Sequence, residues 1–130
     1  MAIIDNFEVP HSAQELPFPA QPNASFFILF LSSIDPVTKQ PWCSDVRDTL
    51  PILNKMFSGS SSPTVHYAYV GSRAQYKETS GSRFRIDWNI RNLPTLSRYE
   101  RSSDGKVKEV GRLVEGELLD EKRTRDLTSA

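Results

Sequence analysis

The strongest pattern along this chain is an uninterrupted apolar run, Phe26-Phe27-Ile28-Leu29-Phe30-Leu31. It lacks polar alternation, so it predicts a strand covered on both faces, as in a parallel sheet with helices above and below. Residues 32–41 are polar, and Asp35-Pro36 marks a turn there. Val46, Leu50, Leu53 and Phe57 then recur at spacings of four, three and four. That stripe predicts a helix over residues 44–57 with one face on the sheet, while Arg47, Asp48, Asn54 and Lys55 fall largely on the other side. Pro51 lies inside it and should kink it, because proline lacks the N–H and crowds the preceding turn. Residues 58–63, built from serine, glycine and proline, end the helix. Residues 65–70 read as a second buried strand, which completes a right-handed β-α-β unit.

The flanks are less regular. Pro10, Pro17, Pro19 and Pro22 break any helix upstream and permit at most a short edge strand. Residues 1–24 are therefore expected to form an arm packed on a domain of residues 25–130. Residues 71–92 are mixed, with a short helix expected near 84–88. Beyond Pro94, residues 96–101 and 106–113 read as two strands joined by Ser102-Ser103-Asp104-Gly105, and Asp-Gly marks an antiparallel hairpin. A helix over residues 117–127 closes the chain. The expected fold class is α/β, a mixed sheet with helices on both faces.

Composition narrows the function classes. Sixteen basic and sixteen acidic residues cancel, so no overall field draws nucleic acid or an anionic membrane. The run at 26–31 is far short of the roughly 20 apolar residues that span a bilayer. The N-terminus, Met1-Ala2-Ile3-Ile4-Asp5, does not read as a secretory signal. One cysteine excludes an intramolecular disulfide and a cysteine-based zinc site, and no metal is expected. A reducing cytoplasm and a monomer are the expectations.

The candidate chemistry lies in Trp42-Cys43-Ser44-Asp45-Val46. Here the sole thiol stands at a helix N-terminus, where backbone N–H groups and the helix dipole favour a thiolate. The ordinary reading of a lone intracellular cysteine is a small, inert apolar residue. Asp45 opposes a thiolate by like-charge repulsion, and its plain role is to complement the helix dipole. His66 lies mid-strand and reads as a packing residue. Arg83, Arg85 and Arg91 read as solvated surface by default.

These residues resemble the thioredoxin superfamily over most of the chain, from about residue 26 to 127. Trp42-Cys43 matches the start of its Trp-Cys-x-x-Cys motif, and Pro51 lies at the spacing of its helix-kinking proline. Ile90-Arg91-Asn92-Leu93-Pro94-Thr95 looks like its cis-proline segment, and Val110-Gly111-Arg112-Leu113 like its last strand. Within the superfamily the chain is most similar to the small cytosolic thioredoxin-related proteins carrying Trp-Cys-Pro-Asp-Cys. That likeness rests on the loop at 33–40, Asp45, Val70-Gly71, Tyr76-Lys77 and Phe84-Arg85. Ser44 replaces the proline of that motif and Val46 the resolving cysteine. The buried acid of thioredoxins also has no counterpart, since its place falls at about Leu29.

The resemblance implies thiol-disulfide exchange with Cys43 as nucleophile and Pro94 in cis beside it. It also implies that Trp42, Ser44, Asp45, Leu93, Pro94 and Gly111 border the substrate. A dithiol enzyme releases its mixed disulfide with a second thiol. With Val46 at the position of that missing resolving cysteine, an external thiol such as glutathione must act. Expected partners are disulfide-containing proteins or small disulfides, with glutathione or a thioredoxin reductase system as reductant and no bound cofactor. The alternative is a redox-inactive thioredoxin-fold module that binds extended peptides.

Overall fold

In a computed structural model, which describes residues 3–20, 23–59, 63–78 and 82–129, the predicted strands assemble into one mixed five-stranded sheet. Its strands are β1 (Ile3–Ile4), β2 (Ser25–Leu31), β3 (Val65–Tyr69), β4 (Thr95–Arg101) and β5 (Val107–Val114), ordered β1-β3-β2-β4-β5. β2 is central and buried from Phe26 to Leu31, as its unbroken apolar run requires. It runs parallel to β3, with Leu29 opposite Tyr67, and antiparallel to β4, with Leu29 opposite Leu96. β4 and β5 form the expected hairpin, and Gly105 supplies the turn's left-handed residue at φ +85°.

Helix α1 (Ser44–Phe57) has the predicted bounds and runs continuously through Pro51. Val46, Leu53 and Phe57 are buried, together with Thr49, which fills the stripe where Leu50 is only half-buried. Phe27 lies under the Arg98 guanidinium, which also pairs with Glu100 and donates to the Leu127 and Ser129 carbonyls of the C-terminal region. Phe26 and Phe30 point to the opposite face. Phe26 meets Phe7, Phe18 and His66, while Phe30 meets Phe84 and Trp88. Helices thus cover both faces.

The remaining helices differ from expectation. The helix expected at 84–88 is α3 (Arg83–Ile86), and a second short helix, α2 (Arg73–Lys77), precedes it. Ser72 and Gln75 start α2 with a reciprocal capping box, the Ser-x-x-Gln signal legible in the sequence. The closing helix is split into a 3-10 segment, Glu115–Leu119, and α4 (Glu121–Thr128). Asp120 divides them, because its carboxylate accepts from Arg123 N–H and caps α4. Part of the expected 58–63 terminator lies outside the described residues.

The arm adds β1 to the edge of the sheet beside β3, Gln14 exchanges hydrogen bonds with the Val107 backbone, and Arg83 anchors its middle. The guanidinium donates to the carbonyls of Val9 at 2.7 Å and Pro10 at 2.5 Å, and Trp88 Nε1 donates to Pro10 at 3.3 Å. Arg83 is therefore an internal strut, not the solvated surface charge its sequence context implied.

Candidate functional site

The site forms where β2 ends and the chain crosses to α1, outside the carboxyl ends of two parallel strands. Buried Ser32, just past β2, accepts the Cys43 N–H at 3.2 Å. Ser33 O accepts Trp42 N–H at 3.3 Å, and Ser33 Oγ accepts Gly71 N–H at 2.8 Å. These bonds tie the loop to the end of β3 and fix where the helix begins. Cys43 is the N-cap of α1, and its carbonyl accepts Arg47 N–H at 3.1 Å.

The Cys43 thiol is half-buried and donates to the Leu93 carbonyl at 3.8 Å. The Leu93-Pro94 peptide is cis, as the resemblance implied. The sulfur caps no first-turn N–H group, however. The helix start positions this sulfur without hydrogen-bonding it, which corrects the sequence expectation.

An open cleft of about 220 Å³ lies over the thiol. Trp42, Cys43, Ser44 and Leu93, four of the residues singled out in the sequence, line it. Arg73, Tyr76 and Lys77 of α2, Arg91 and Asn92 before the cis peptide, and Glu115 complete it. Two larger hollows, of about 370 and 270 Å³, do not reach Cys43, so size does not select the site.

Trp42 is clamped from three sides. Its Nε1 donates to Gly71 O at 2.8 Å, the Arg73 guanidinium sits 5.0 Å over its ring, and the same guanidinium donates to its carbonyl at 3.1 Å. Tyr76 packs 5.9 Å away and donates to Ile90 O at 2.9 Å. Burial pushes the Tyr76 phenol upward, partly offset by Arg85, whose guanidinium lies 5.3 Å over the ring. Glu115 holds a left-handed φ of +51°, unfavourable for a residue with a Cβ. Its N–H donates to Pro94 O at 2.8 Å and its carboxylate accepts from Asn92 at 3.3 Å; these contacts fix it at the rim.

Several expected residues stand elsewhere. Val46, at the place of the missing second thiol, is fully buried beneath the helix. Asp45 is half-exposed and does not line the cleft, and buried Pro94 contributes the cis bond behind it. Gly111 is remote: it pairs with Arg98, well along β4 from Thr95, and a Cβ there would meet Leu127 Cδ1 at 2.5 Å. Gly111 does not line the cleft, and its missing side chain leaves room for Leu127 of α4 against the sheet. Among the described residues no group of three or more histidines, cysteines or carboxylates could hold a metal, and no helix is long and apolar enough to cross a membrane.

Comparison with known proteins agrees with this fold. A thioredoxin domain-containing protein of Schizosaccharomyces pombe is 41% identical over 98 residues, covering 75% of this chain and 77% of the relative. The chain belongs to the thioredoxin superfamily. The Thioredoxin-like protein Clot of Arabidopsis thaliana is 32% identical over 80 residues, covering 59% of each chain. Among solved structures, Trichomonas vaginalis thioredoxin superposes with a TM-score of 0.58 at 14% identity, covering 95% of this chain and 92% of that one. Plasmodium falciparum thioredoxin gives 0.53 at 14% identity, covering 84% and 75%. These two support the thioredoxin fold alone. No protein-family model matches the chain.

Proposed function

We propose that this thioredoxin-like protein performs thiol-disulfide exchange through a single thiol, Cys43, in a reducing cytoplasm. The observation that carries this reading is the half-exposed Cys43 sulfur, set at the start of α1 across from the cis Leu93-Pro94 peptide and open to a cleft. Cys43 loses its proton and the thiolate attacks one sulfur of a disulfide. A Cys43 mixed disulfide forms and the other half leaves as a thiolate. An external thiolate, such as glutathione, then attacks the bound half, forms a new disulfide with it and returns Cys43 as thiolate. One half of the original disulfide is released as a thiol, the other is carried off in a mixed disulfide with the external thiol, and a second external thiol reduces that mixed disulfide to complete the two-electron reduction.

The test is intact-mass analysis of the protein treated near neutral pH with iodoacetamide or with glutathione disulfide. One adduct per chain is expected in each case, and none on Cys43→Ser. A native protein that takes up neither reagent removes the redox reading.

One observation favours a peptide-binding module instead: valine stands at position 46 and Cys43 is the sole cysteine, so the chain itself holds no second thiol. Partners captured equally by wild type and Cys43→Ser, and not released by dithiothreitol, belong to that reading.

A further inference from the structure

The chain has no net charge, yet its cleft does. Arg73, Lys77 and Arg91 line the same hollow as the Cys43 sulfur, against a single acid, Glu115. All three cations are exposed, and none pairs with a carboxylate among the described residues. Arg98, Arg112, Lys122, Arg123 and Arg125 do form ion pairs elsewhere, whereas in the cleft Arg73 donates to the Trp42 carbonyl and Arg91 to the Asn89 amide oxygen, both neutral partners that leave the charge uncompensated. Glu115 is already held by Asn92. The cations come from two separate segments, α2 and the loop before Pro94. They meet only through the fold, beside the reacting atom.

We propose, resting on the exchange reading above, that this cationic rim makes Cys43 selective for small disulfides whose halves carry carboxylates. Cations on a cleft wall raise the local concentration of an anionic reactant and its on-rate, an effect of about 10–10³-fold that salt suppresses. The same charges stabilise the anionic half-disulfide once attached, and the thiolate that leaves. A hollow of about 220 Å³ lies below the roughly 300–1,000 Å³ typical of whole drug-sized ligands, so it takes one half of the disulfide. Attack by Cys43 leaves that half covalently bound in the cleft and expels the other into solvent. An external thiolate then attacks the sulfur of the bound half and frees Cys43.

The experiment compares three small disulfides of different charge: dithiodipropionate (a dianion), 2-hydroxyethyl disulfide (neutral) and cystamine (a dication). Rates of Cys43 adduct formation are read by intact mass and divided by the rates of each disulfide with a free thiol of neutral charge. The expected result is a normalised dianion-to-dication ratio of at least about tenfold at low salt, falling towards one as salt rises. Lys77→Gln with Arg91→Gln should collapse the ratio while leaving the Arg73 clamp on Trp42 in place. Adding Arg73→Gln should remove the remainder. Equal normalised rates in wild type, or a ratio unchanged in the folded double variant, overturn the charge selectivity while the neutral disulfide still reports exchange. No adduct from any of the three overturns the exchange reading and this inference with it.

Discussion

The Cys43 thiol donates to the Leu93 carbonyl at 3.8 Å, across fifty positions of sequence. That contact joins the start of α1 to the cis peptide before β4, so the helix start and the loop at 91–93 face one another across the cleft, with α2 along its side. Either element alone presents only a cysteine or a proline.

Val46 lies one helical turn beyond Cys43, where side chains three apart share a face, but it is fully buried. Val46→Cys is therefore a near-isosteric core change, expected to cost less than about 1.5 kcal/mol. With dithiothreitol as reductant, this variant should reduce a model protein disulfide that the wild type turns over only slowly. A folded variant with no gain would count against an accessible dithiol geometry.

Arg98 fastens the C-terminal helix to the sheet. Its guanidinium donates to Leu127 O at 2.8 Å, Ser129 O at 2.5 Å and Glu100 at 2.9 Å, and covers the Phe27 ring at 5.3 Å. Arg98→Ala should destabilise by about 1.5–3 kcal/mol, the range for hydrogen bonds to a charged group. Arg98→Lys should rescue only part of this, because an ammonium lacks the planar fork. Urea denaturation at unchanged m-value checks both.

His66 is stacked on Phe26 at 4.1 Å and packed by Phe7 at 4.9 Å, with Nδ1 3.3 Å from Phe27 O. Burial lowers its pKa below 6.5, opposed by that backbone contact. The unfolded chain therefore takes up the proton first as pH falls. The stability from neutral His66 is complete above about pH 6.5 and declines as pH drops from there towards the lowered native value. Denaturation midpoints followed between pH 7.5 and 5 should show this decline, and His66→Phe should flatten it. An identical slope in the variant would assign the pH dependence to other groups.

Arg83 holds the arm at Val9 and Pro10. Arg83→Ala should raise hydrogen exchange over residues 5–16 while protection in β2 stays intact, since local opening follows local contacts. Equal protection of the arm in both proteins would show that Phe7, Val9 and Leu16 suffice to hold it.

The sequence by itself determined β2, α1, β3 and the β4–β5 hairpin, because each is written in a local period: an unbroken apolar run, a stripe at helical spacing, an Asp-Gly turn. It also marked Cys43 and Pro94 through the family motif. It did not reveal α2, whose five residues are too few for a period to show, although the Ser72–Gln75 cap was legible. Only the tertiary structure decided that Gly111 supports α4, that Arg83 anchors the arm, and that Arg73, Lys77 and Arg91 gather around the thiol. Those outcomes depend on sheet register and on contacts between distant segments, and such contacts leave no spacing in a linear chain.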